Sequence, residues 1–335
     1  MPPEPAPHFG DRLARAVAAR ESQIVLGLDP DPARLWPAAA AGTSLSPATA
    51  TPTAATAPET TTAGAATSLP LDPPATPRER AAAAVAAHCR AAIDATGPAC
   101  VAVKPQLACF ERLGAPGWAA LEAVVAHGRA AGLLVLLDAK RGDVPVTAAA
   151  YAQALLTAVP TPEGDLRGLE GDAVTANPLL GRDAVEPLVD AARSRAAGVF
   201  LLVRTSNPGA ADLMDLDLAG GGRVWERLAA LADALGVPGR ESGLNDVGAV
   251  TGATEPEHLA RMRELMPHTP FLLPGVGAQG GDVAALGPAF APGRAGGLVT
   301  ASRSIVNAHE QAGGDPGTAA RAEAERLREL AWALA

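Results

Sequence analysis

The chain has 335 residues, of which 27 are Lys or Arg and 36 are Asp or Glu, so its net charge at pH 7 is -9. This length can bury a substantial core, and the acidic balance argues against a broad nucleic-acid-binding face or an anionic membrane partner. The three cysteines show no CxxC spacing and the six histidines do not cluster, so we expect no zinc site and no disulfide framework.

The amino-terminal residues 1–10 are Pro-rich and contain no basic segment followed by an apolar one. They therefore lack the pattern of a signal peptide. No run of 18 uninterrupted apolar residues occurs, so no membrane-spanning helix is predicted. We expect a cytoplasmic protein.

Eight short runs of apolar, β-rich residues occur along the chain, each closed by a polar or Gly-containing turn. Such runs are typical of buried strands. The predicted strands are Gln23–Leu28, Cys100–Val103, Leu134–Leu137, Asp172–Ala176, Val199–Val203, Asp246–Val250, Phe271–Leu273 and Gly297–Thr300.

The segments between these runs carry apolar residues three and four positions apart, as amphipathic helices do. Residues 224–235 and 327–334 are clear examples, and Thr254 with Pro256 and Glu257 predicts a capping box that opens another helix. Strand alternating with helix eight times predicts an α/β protein with a single (β/α)8 TIM barrel. A doubly wound open sheet is the alternative.

One segment, residues 38–78, is almost wholly Ala, Thr, Pro, Ser and Gly. It has too few large apolar side chains to offset the entropy of ordering, so we expect a disordered insertion. The predicted organisation is an amino-terminal helix and first barrel strand in residues 1–37, the insertion, and the rest of the barrel in residues 79–335.

A second irregular stretch, Gly209 to Gly222, contains three aspartates and three consecutive glycines. It is interpreted as an active-site lid or, equally well, as a passive surface loop.

The sequence Asp138-Ala139-Lys140-Arg141-Gly142-Asp143 places a lysine between carboxylates at the end of the third predicted strand. In an extended segment Asp138 and Lys140 share a face, and neighbouring negative charge favours a protonated lysine. Such a lysine can donate a proton to a carbanion and stabilise it. A solvated salt bridge would be the simpler interpretation if the motif stood alone.

The motif does not stand alone, because polar residues end the other predicted strands too, and the carboxyl ends of barrel strands meet at one face. These residues are Asp29, Lys104, Asn177, Thr205, Ser206 and Asn207. After the last two strands come the glycine-rich Pro274 to Gly281 and then Ser302-Arg303-Ser304. A glycine-rich loop, a helix starting near Ser302 and the Arg303 guanidinium are typical of a phosphate site.

These motifs together resemble those of the orotidine 5'-phosphate decarboxylase family, specifically its type 2 branch, whose lysine motif reads DxKRGD. The resemblance is carried by Leu28-Asp29, Val103-Lys104-Pro105-Gln106 with Phe110-Glu111, Asp138 to Val144, Asn177-Pro178, Thr205 to Gly209, Pro274 to Asp282 and Ser302-Arg303-Ser304-Ile305. It implies a barrel that forms a homodimer with active sites at the subunit interface. It also implies decarboxylation of orotidine 5'-phosphate to uridine 5'-phosphate, the final step of de novo pyrimidine biosynthesis, without metal or cofactor.

The resemblance also implies a role for each matching residue. Lys140 would donate the proton to C6, Asp138 would lie against the substrate carboxylate, and Lys104 would complete the charged network. Asp143 and Thr147 would come from the neighbouring subunit. The remaining predicted substrate-binding residues are Asp29 at the ribose, Ser206 at the pyrimidine, Gln279, Arg303, Gly277 and Ser302 at the phosphate, and Asn177 and Thr205 as residues that shape the pocket.

Two other functions compete with this hypothesis. Related barrels that decarboxylate or condense sugar phosphates share the Asp-x-Lys-x-x-Asp arrangement but need Mg2+. Thr205 to Gly209 and the Gln279 and Arg303 pair favour the nucleotide substrate. A non-catalytic nucleotide-binding barrel is the third hypothesis, against which both lysines and both aspartates of the charged network argue.

Overall fold

Eight parallel strands close into a barrel in the computed structural model, which describes residues 8–41, 76–253, 257–277, 280–291 and 293–335. Within the described residues there are ten strands, eight in the barrel and two outside it: β1 (Ile24–Leu28), β2 (Ala102–Pro105), β3 (Leu134–Arg141), β4 (Ala158–Thr161), β5 (Gly164–Arg167), β6 (Ala173–Ala176), β7 (Gly198–Arg204), β8 (Val247–Thr251), β9 (Phe271–Leu273) and β10 (Gly297–Ala301). Around the barrel the order is β1-β10-β9-β8-β7-β6-β3-β2, while β4 and β5 form a separate antiparallel hairpin. The predicted (β/α)8 barrel is therefore confirmed.

Helices connect the barrel strands. They are α1 (Phe9–Arg20), α2 (Pro37–Ala41), α3 (Pro77–Thr96), α4 (Leu107–Glu111), α5 (Ala115–Ala130), α6 (Pro145–Leu155), α7 (Glu186–Ser194), α8 (Val224–Leu235), α9 (Glu257–Leu265), α10 (Arg303–Val306), α11 (His309–Ala312) and α12 (Pro316–Leu334). The longest, α3, begins with a capping box in which the Thr76 hydroxyl accepts the Glu79 N-H and the Glu79 carboxylate accepts the Thr76 N-H.

Two groups of buried side chains form the core because side chains alternate along each strand. In β1, Ile24 and Leu26 face the surrounding helices, whereas Val25 faces the barrel interior. Helix α1 closes the interior at the amino-terminal ends of the strands, where the Phe9 ring meets the Phe200 ring edge to face at 6.0 Å. Polar side chains lie at the opposite end of the barrel, where the strands have their carboxyl ends.

All eight predicted barrel strands are confirmed, and several extend further than predicted. The third runs to Arg141 and so carries the predicted site residues Asp138 and Lys140, and the fifth runs to Arg204, directly before Thr205. The β4–β5 hairpin was not predicted. It is an exposed two-stranded ribbon that contains Pro160.

The Ala/Thr/Pro-rich segment is described only at its edges. Residues 38–41 belong to α2, and residues 76–78 cap and begin α3, against which α2 packs. Residues 42–75 lie outside the described residues, as does the predicted capping box at Thr254 and Pro256. Within the described ranges, no helix has both the length and the apolar character needed to cross a membrane.

Candidate active site

A cavity of about 380 Å³ lies at the carboxyl end of the barrel, and each barrel strand, or the segment that directly follows it, contributes to its lining. It has the size expected of a small-ligand site. Of the predicted site residues, the cavity brings together Asp29, Lys104, Asp138, Lys140, Thr205, Ser206, Ser302 and Arg303. Sequence reasoning thus found most of the charged wall of this cavity.

The Asp138 carboxylate is the centre of the charged wall. Its Oδ2 accepts from the Lys104 ammonium at 2.5 Å and from the Gln106 amide at 3.1 Å. Its Oδ1 accepts from the Lys140 ammonium at 2.5 Å and from the Thr175 hydroxyl at 2.9 Å. Four donors therefore hold this carboxylate in one orientation.

These contacts fix the charge states of the buried pair. Burial alone would raise the pKa of Asp138, but the ammonium groups of Lys104 and Lys140 outweigh it and lower the pKa to about 2. Burial alone would lower the pKa of Lys104, but the carboxylates of Asp138 and Asp29 outweigh it and raise that pKa. Asp138 is 5% exposed and Lys104 6% exposed, so an ionised carboxylate and a cation meet away from bulk water.

The backbone at Lys140 is left-handed, with φ of 48°. For a residue other than glycine this conformation costs about 1–2 kcal/mol and points to a local constraint. It lies in a bulge of β3, because Leu137 pairs with Val174 and Arg141 with Ala176, so the strand has two extra residues there. The bulge directs the Lys140 side chain, which is 42% exposed, into the cavity.

The next two residues of the motif support this bulge. The Arg141 guanidinium forms an ion pair with Glu111 of α4, donates to the Ala139 carbonyl at 2.9 Å and lies 5.4 Å from the centre of the Tyr151 ring. A Cβ atom at Gly142 would lie 2.3 Å from the Asn177 carbonyl oxygen. Only glycine lets the chain pass so close to β6.

Two of the predicted phosphate-binding residues, Ser302 and Arg303, directly follow β10, which pairs with β1. Ser302 and the exposed Arg303 line the cavity at the start of α10. A Cβ atom at Gly27 of β1 would lie 1.8 Å from the Ser302 Oγ. Gly277 lines an adjoining cavity together with Arg303, and its N-H donates to the Gly281 carbonyl. Gln279 lies outside the described residues.

The segment after β7 is anchored by an ion pair between the buried Arg204 and the half-buried Asp215. Arg204 is 3% exposed, and its guanidinium donates to both oxygens of Asp215, at 2.9 and 2.8 Å. The hydrogen bond from Arg204 lowers the pKa of Asp215. Between these two residues, Thr205 and Ser206 line the cavity, and the Thr205 hydroxyl donates to the Asn207 side-chain oxygen at 2.7 Å. Asp215 lies within the stretch Gly209 to Gly222, so this ion pair ties the middle of that stretch to the end of β7.

Besides Gly277, three described residues of the predicted site do not line this cavity. Asp143 follows β3, and its carboxylate accepts the Val144 N-H at 2.7 Å. Thr147 lies in the first turn of α6. The Asn177 side chain instead caps a short 3-10 turn by accepting the Leu179 N-H at 3.1 Å.

Sequence reasoning missed two polar residues that contact Asp138, namely Gln106 and Thr175. Gln106 follows Lys104 by two positions, which places the two side chains on one face of an extended chain. Thr175 is a lone hydroxyl in an apolar strand and precedes the predicted Asn177 by two positions. Thr300, whose buried hydroxyl has no hydrogen-bond partner among the described residues, also lines the cavity.

No group of three or more His, Cys, Asp and Glu side chains is arranged to hold a metal ion in the described part of the chain. The carboxylates in the cavity, Asp29 and Asp138, lie near cations. Asp138 has both oxygens engaged by protein donors.

Comparisons with known proteins agree with the geometry. A family model described as "Orotidine 5'-phosphate decarboxylase / HUMPS family" matches residues 68–322. The orotidine 5'-phosphate decarboxylase of Haloarcula marismortui is 40% identical over 306 residues, which cover 91% of this chain and 89% of that protein. That of Deinococcus radiodurans is 46% identical over 248 residues, covering 72% and 83%. The solved structure of Leishmania donovani OMP decarboxylase matches with a TM-score of 0.64 and 30% identity, covering 97% of this chain and 99% of that one.

Proposed function

The chain belongs to the orotidine 5'-phosphate decarboxylase / HUMPS family, and from that premise we propose that its cavity converts orotidine 5'-phosphate to uridine 5'-phosphate and CO2. The observation that carries the proposal is the buried Asp138 carboxylate between the Lys104 and Lys140 ammonium groups. This arrangement supplies a positive charge and a proton at the place where a carbanion would form.

The reaction breaks the bond between C6 of the pyrimidine and its carboxylate, and the electron pair stays on C6. No adjacent carbonyl delocalises that charge, so the site must stabilise it electrostatically. We assign the Lys140 ammonium to this task. It then transfers a proton to C6, becomes a neutral amine, and regains a proton from solvent.

Around C6, the attraction of the lysine ammonium groups for the carbanion outweighs the repulsion between Asp138 and the substrate carboxylate. Two unit charges of like sign about 4 Å apart repel by about 4 kcal/mol at an effective dielectric constant near 20, which is the expected effect of Asp138 on the substrate carboxylate. Lys104 and Lys140 each lie 2.5 Å from Asp138, and the three side chains together carry one positive charge. Preorganised attraction for the developing carbanion is therefore the larger effect in this proposal.

The rest of the substrate is assigned to the other cavity residues. Arg303 and Ser302 would bind the phosphate with Gln279 and Gly277, and Asp29 would accept from the ribose hydroxyls. Ser206 would bond the pyrimidine, and Thr205 and Asn177 would shape its surroundings. Binding at the phosphate is remote from C6, yet it can be used to close and desolvate the site.

We further propose that the chain belongs to the type 2, DxKRGD branch of the family. The guanidinium of Arg141, a residue of that motif, forms an ion pair with Glu111 and lies over the Tyr151 ring. Arg141→Lys would lose the planar guanidinium that makes both contacts. It should lower kcat because α4 then no longer supports the β3 bulge, and unchanged kcat would contradict this role.

We also propose a homodimer in which each active site receives Asp143 and Thr147 from the partner subunit. Large apolar side chains are exposed after the neighbouring strands β3, β6 and β7, with Val146 being 84% exposed. The others are Val144, Leu179, Leu180, Leu213 and Leu216. Exposed apolar side chains at the strand ends that carry a ligand cavity are typical of a protein interface, and Asp143 directly precedes the exposed Val144 in the chain.

Mixing two inactive variants tests the shared site. In a mixed dimer of Lys140→Ala and Asp143→Ala subunits, one of the two sites keeps both native residues. Random exchange of equal amounts should restore roughly one quarter of the wild-type activity in a symmetric dimer. Each variant alone should stay inactive, and the absence of restoration despite confirmed subunit exchange would contradict the shared site.

The substrate and the metal requirement are tested together. Purified protein in chelator should consume the orotate chromophore of orotidine 5'-phosphate, and the Lys140→Ala variant should not. Turnover only of a sugar phosphate, and only with added Mg2+, would replace the proposal with the related metal-dependent activity. Binding of a uridine monophosphate analogue without any turnover would indicate a non-catalytic barrel.

We propose a cytoplasmic location for this activity. Cys89, Cys100 and Cys109 are free thiols in the structure. Burial raises the pKa of Cys100 to about 12, which keeps that thiol protonated. Unpaired thiols are typical of reducing compartments. Cell fractionation with markers for each compartment would test the location, and recovery outside the cytoplasm would contradict it.

A further inference from the structure

We propose that Thr175 is a positioning residue that fixes the proton donor Lys140 and the carboxylate of Asp138 in their reactive geometry. The inference rests on the proposed function, because it assigns to Thr175 a task in that reaction. Thr175 lies in β6, is 2% exposed, and faces the bulge of β3.

The Thr175 hydroxyl accepts a hydrogen bond from the Lys140 N-H, in place of the backbone carbonyl that a regular strand pairing would provide. The register of β3 and β6 is regular up to Leu137 and resumes at Arg141. Between them, the Lys140 N-H donates to the Thr175 Oγ1 at 2.9 Å. A buried N-H left without a partner is costly, so this side-chain acceptor stabilises the left-handed backbone of Lys140.

The same hydroxyl donates its proton to the Asp138 Oδ1, which also accepts from the Lys140 ammonium. The contacts therefore form a closed ring that passes from the Lys140 N-H through Thr175 and Asp138 back to the Lys140 Nζ. Both ends of one lysine are held through a single hydroxyl. A residue without a hydroxyl at position 175 would open the ring at two points.

The consequence for catalysis follows from the length of the lysine side chain. Lysine has many rotamers, and ordering it costs conformational entropy. A displacement of about 1 Å in a catalytic group can lower the rate about 100-fold. Thr175 has its donor and its acceptor engaged by Asp138 and Lys140, so its effect should appear in the chemical step and not in substrate binding.

The test compares Thr175→Val, which keeps the shape and removes the hydroxyl, with Thr175→Ser, which keeps the hydroxyl. We expect Thr175→Val to lower kcat about 10- to 100-fold with KM within about threefold of wild type. Thr175→Ser should retain kcat within about threefold. The matched control is Thr251→Val, at a buried β8 hydroxyl that has no hydrogen-bond partner among the described residues. It should behave as wild type.

The outcomes separate this inference from the proposed function. Wild-type protein that does not consume orotidine 5'-phosphate would refute the proposed function. Active wild type with unchanged kcat in Thr175→Val, or with a raised KM alone, would refute the role of Thr175. If the valine variant does not fold, Thr175→Ala takes its place in the comparison with Thr175→Ser.

A crystal structure of Thr175→Val gives a readout that needs no substrate. We expect the φ angle of Lys140 to leave the left-handed region, or its ammonium to leave Asp138, once the hydroxyl is absent. An unchanged Lys140 would overturn the inference even if the proposed function failed.

Discussion

Replacing Asp138 by Asn should destabilise the protein at neutral pH, and the effect should shrink in acid. The pKa of Asp138 falls from 3.8 to about 2 in the folded protein. At about 1.36 kcal/mol per pKa unit, the ionised carboxylate contributes about 2 kcal/mol to the free energy of unfolding at pH 7. Because the folded pKa is the lower one, this contribution is present above about pH 4 and is lost as the pH falls through 2. At pH 3 about half remains.

The Asn variant lacks this contribution at every pH and leaves Lys104 buried near Lys140. Removing one partner of a buried ion pair typically costs about 3–5 kcal/mol. We therefore expect the variant to be less stable by about 2–5 kcal/mol at pH 7, and this difference to be about 1 kcal/mol smaller at pH 3.

Urea unfolding of both proteins at pH 7, 4 and 3, at one protein concentration, measures this difference. Asp165→Asn, at an exposed carboxylate of the β4–β5 hairpin, is the control and should change stability by less than about 0.5 kcal/mol. A cost for Asp138→Asn below about 0.5 kcal/mol at pH 7, or one that does not decrease at pH 3, would contradict the stabilising role of the ionised Asp138 carboxylate.

Three further outcomes are expected. Arg303→Ala should lower kcat/KM about 10- to 100-fold in steady-state assays, because a charged contact to the phosphate is lost; a normal value would contradict its role. Gly142→Ala should lower the unfolding free energy by about 1–3 kcal/mol in urea titrations, since its Cβ would overlap the Asn177 carbonyl oxygen. An unchanged free energy of unfolding would show that the backbone at Asn177 can move enough to accommodate the added Cβ atom. Replacing residues 42–75 with a short Gly/Ser linker should leave kcat within about twofold, and lost turnover in a folded protein would assign the segment a function.

The barrel could be predicted because its strands are apolar on both faces and separated by strongly periodic helices. The β4–β5 hairpin could not, because its side chains are largely exposed and Pro160 weakens the strand signal. The ends of the strands were harder to predict than their centres. The polar residues Lys140 and Arg141 continue β3 beyond its apolar run, since tertiary contacts override local preference there.

The charged residues of the site could be predicted because barrel strand ends converge. Their fine geometry could not. Nothing in the residue type of Lys140 indicates a left-handed backbone, which depends on a hydroxyl 35 residues later in the chain. Asn177 is a second example, because its residue type at a strand end does not indicate that its side chain caps the following turn.

The seam between β1 and β10 has a consequence for biosynthesis. Val25 pairs with Thr300, and the cavity needs Asp29 from one side of the seam and Arg303 from the other. A growing polypeptide has made the first strand long before the last, and loop closure over such a separation is entropically unfavourable. The cavity therefore assembles only after Arg303 has left the ribosome. A chain that stops before that point has an open sheet edge and no complete ligand site, so premature termination yields no partially active product.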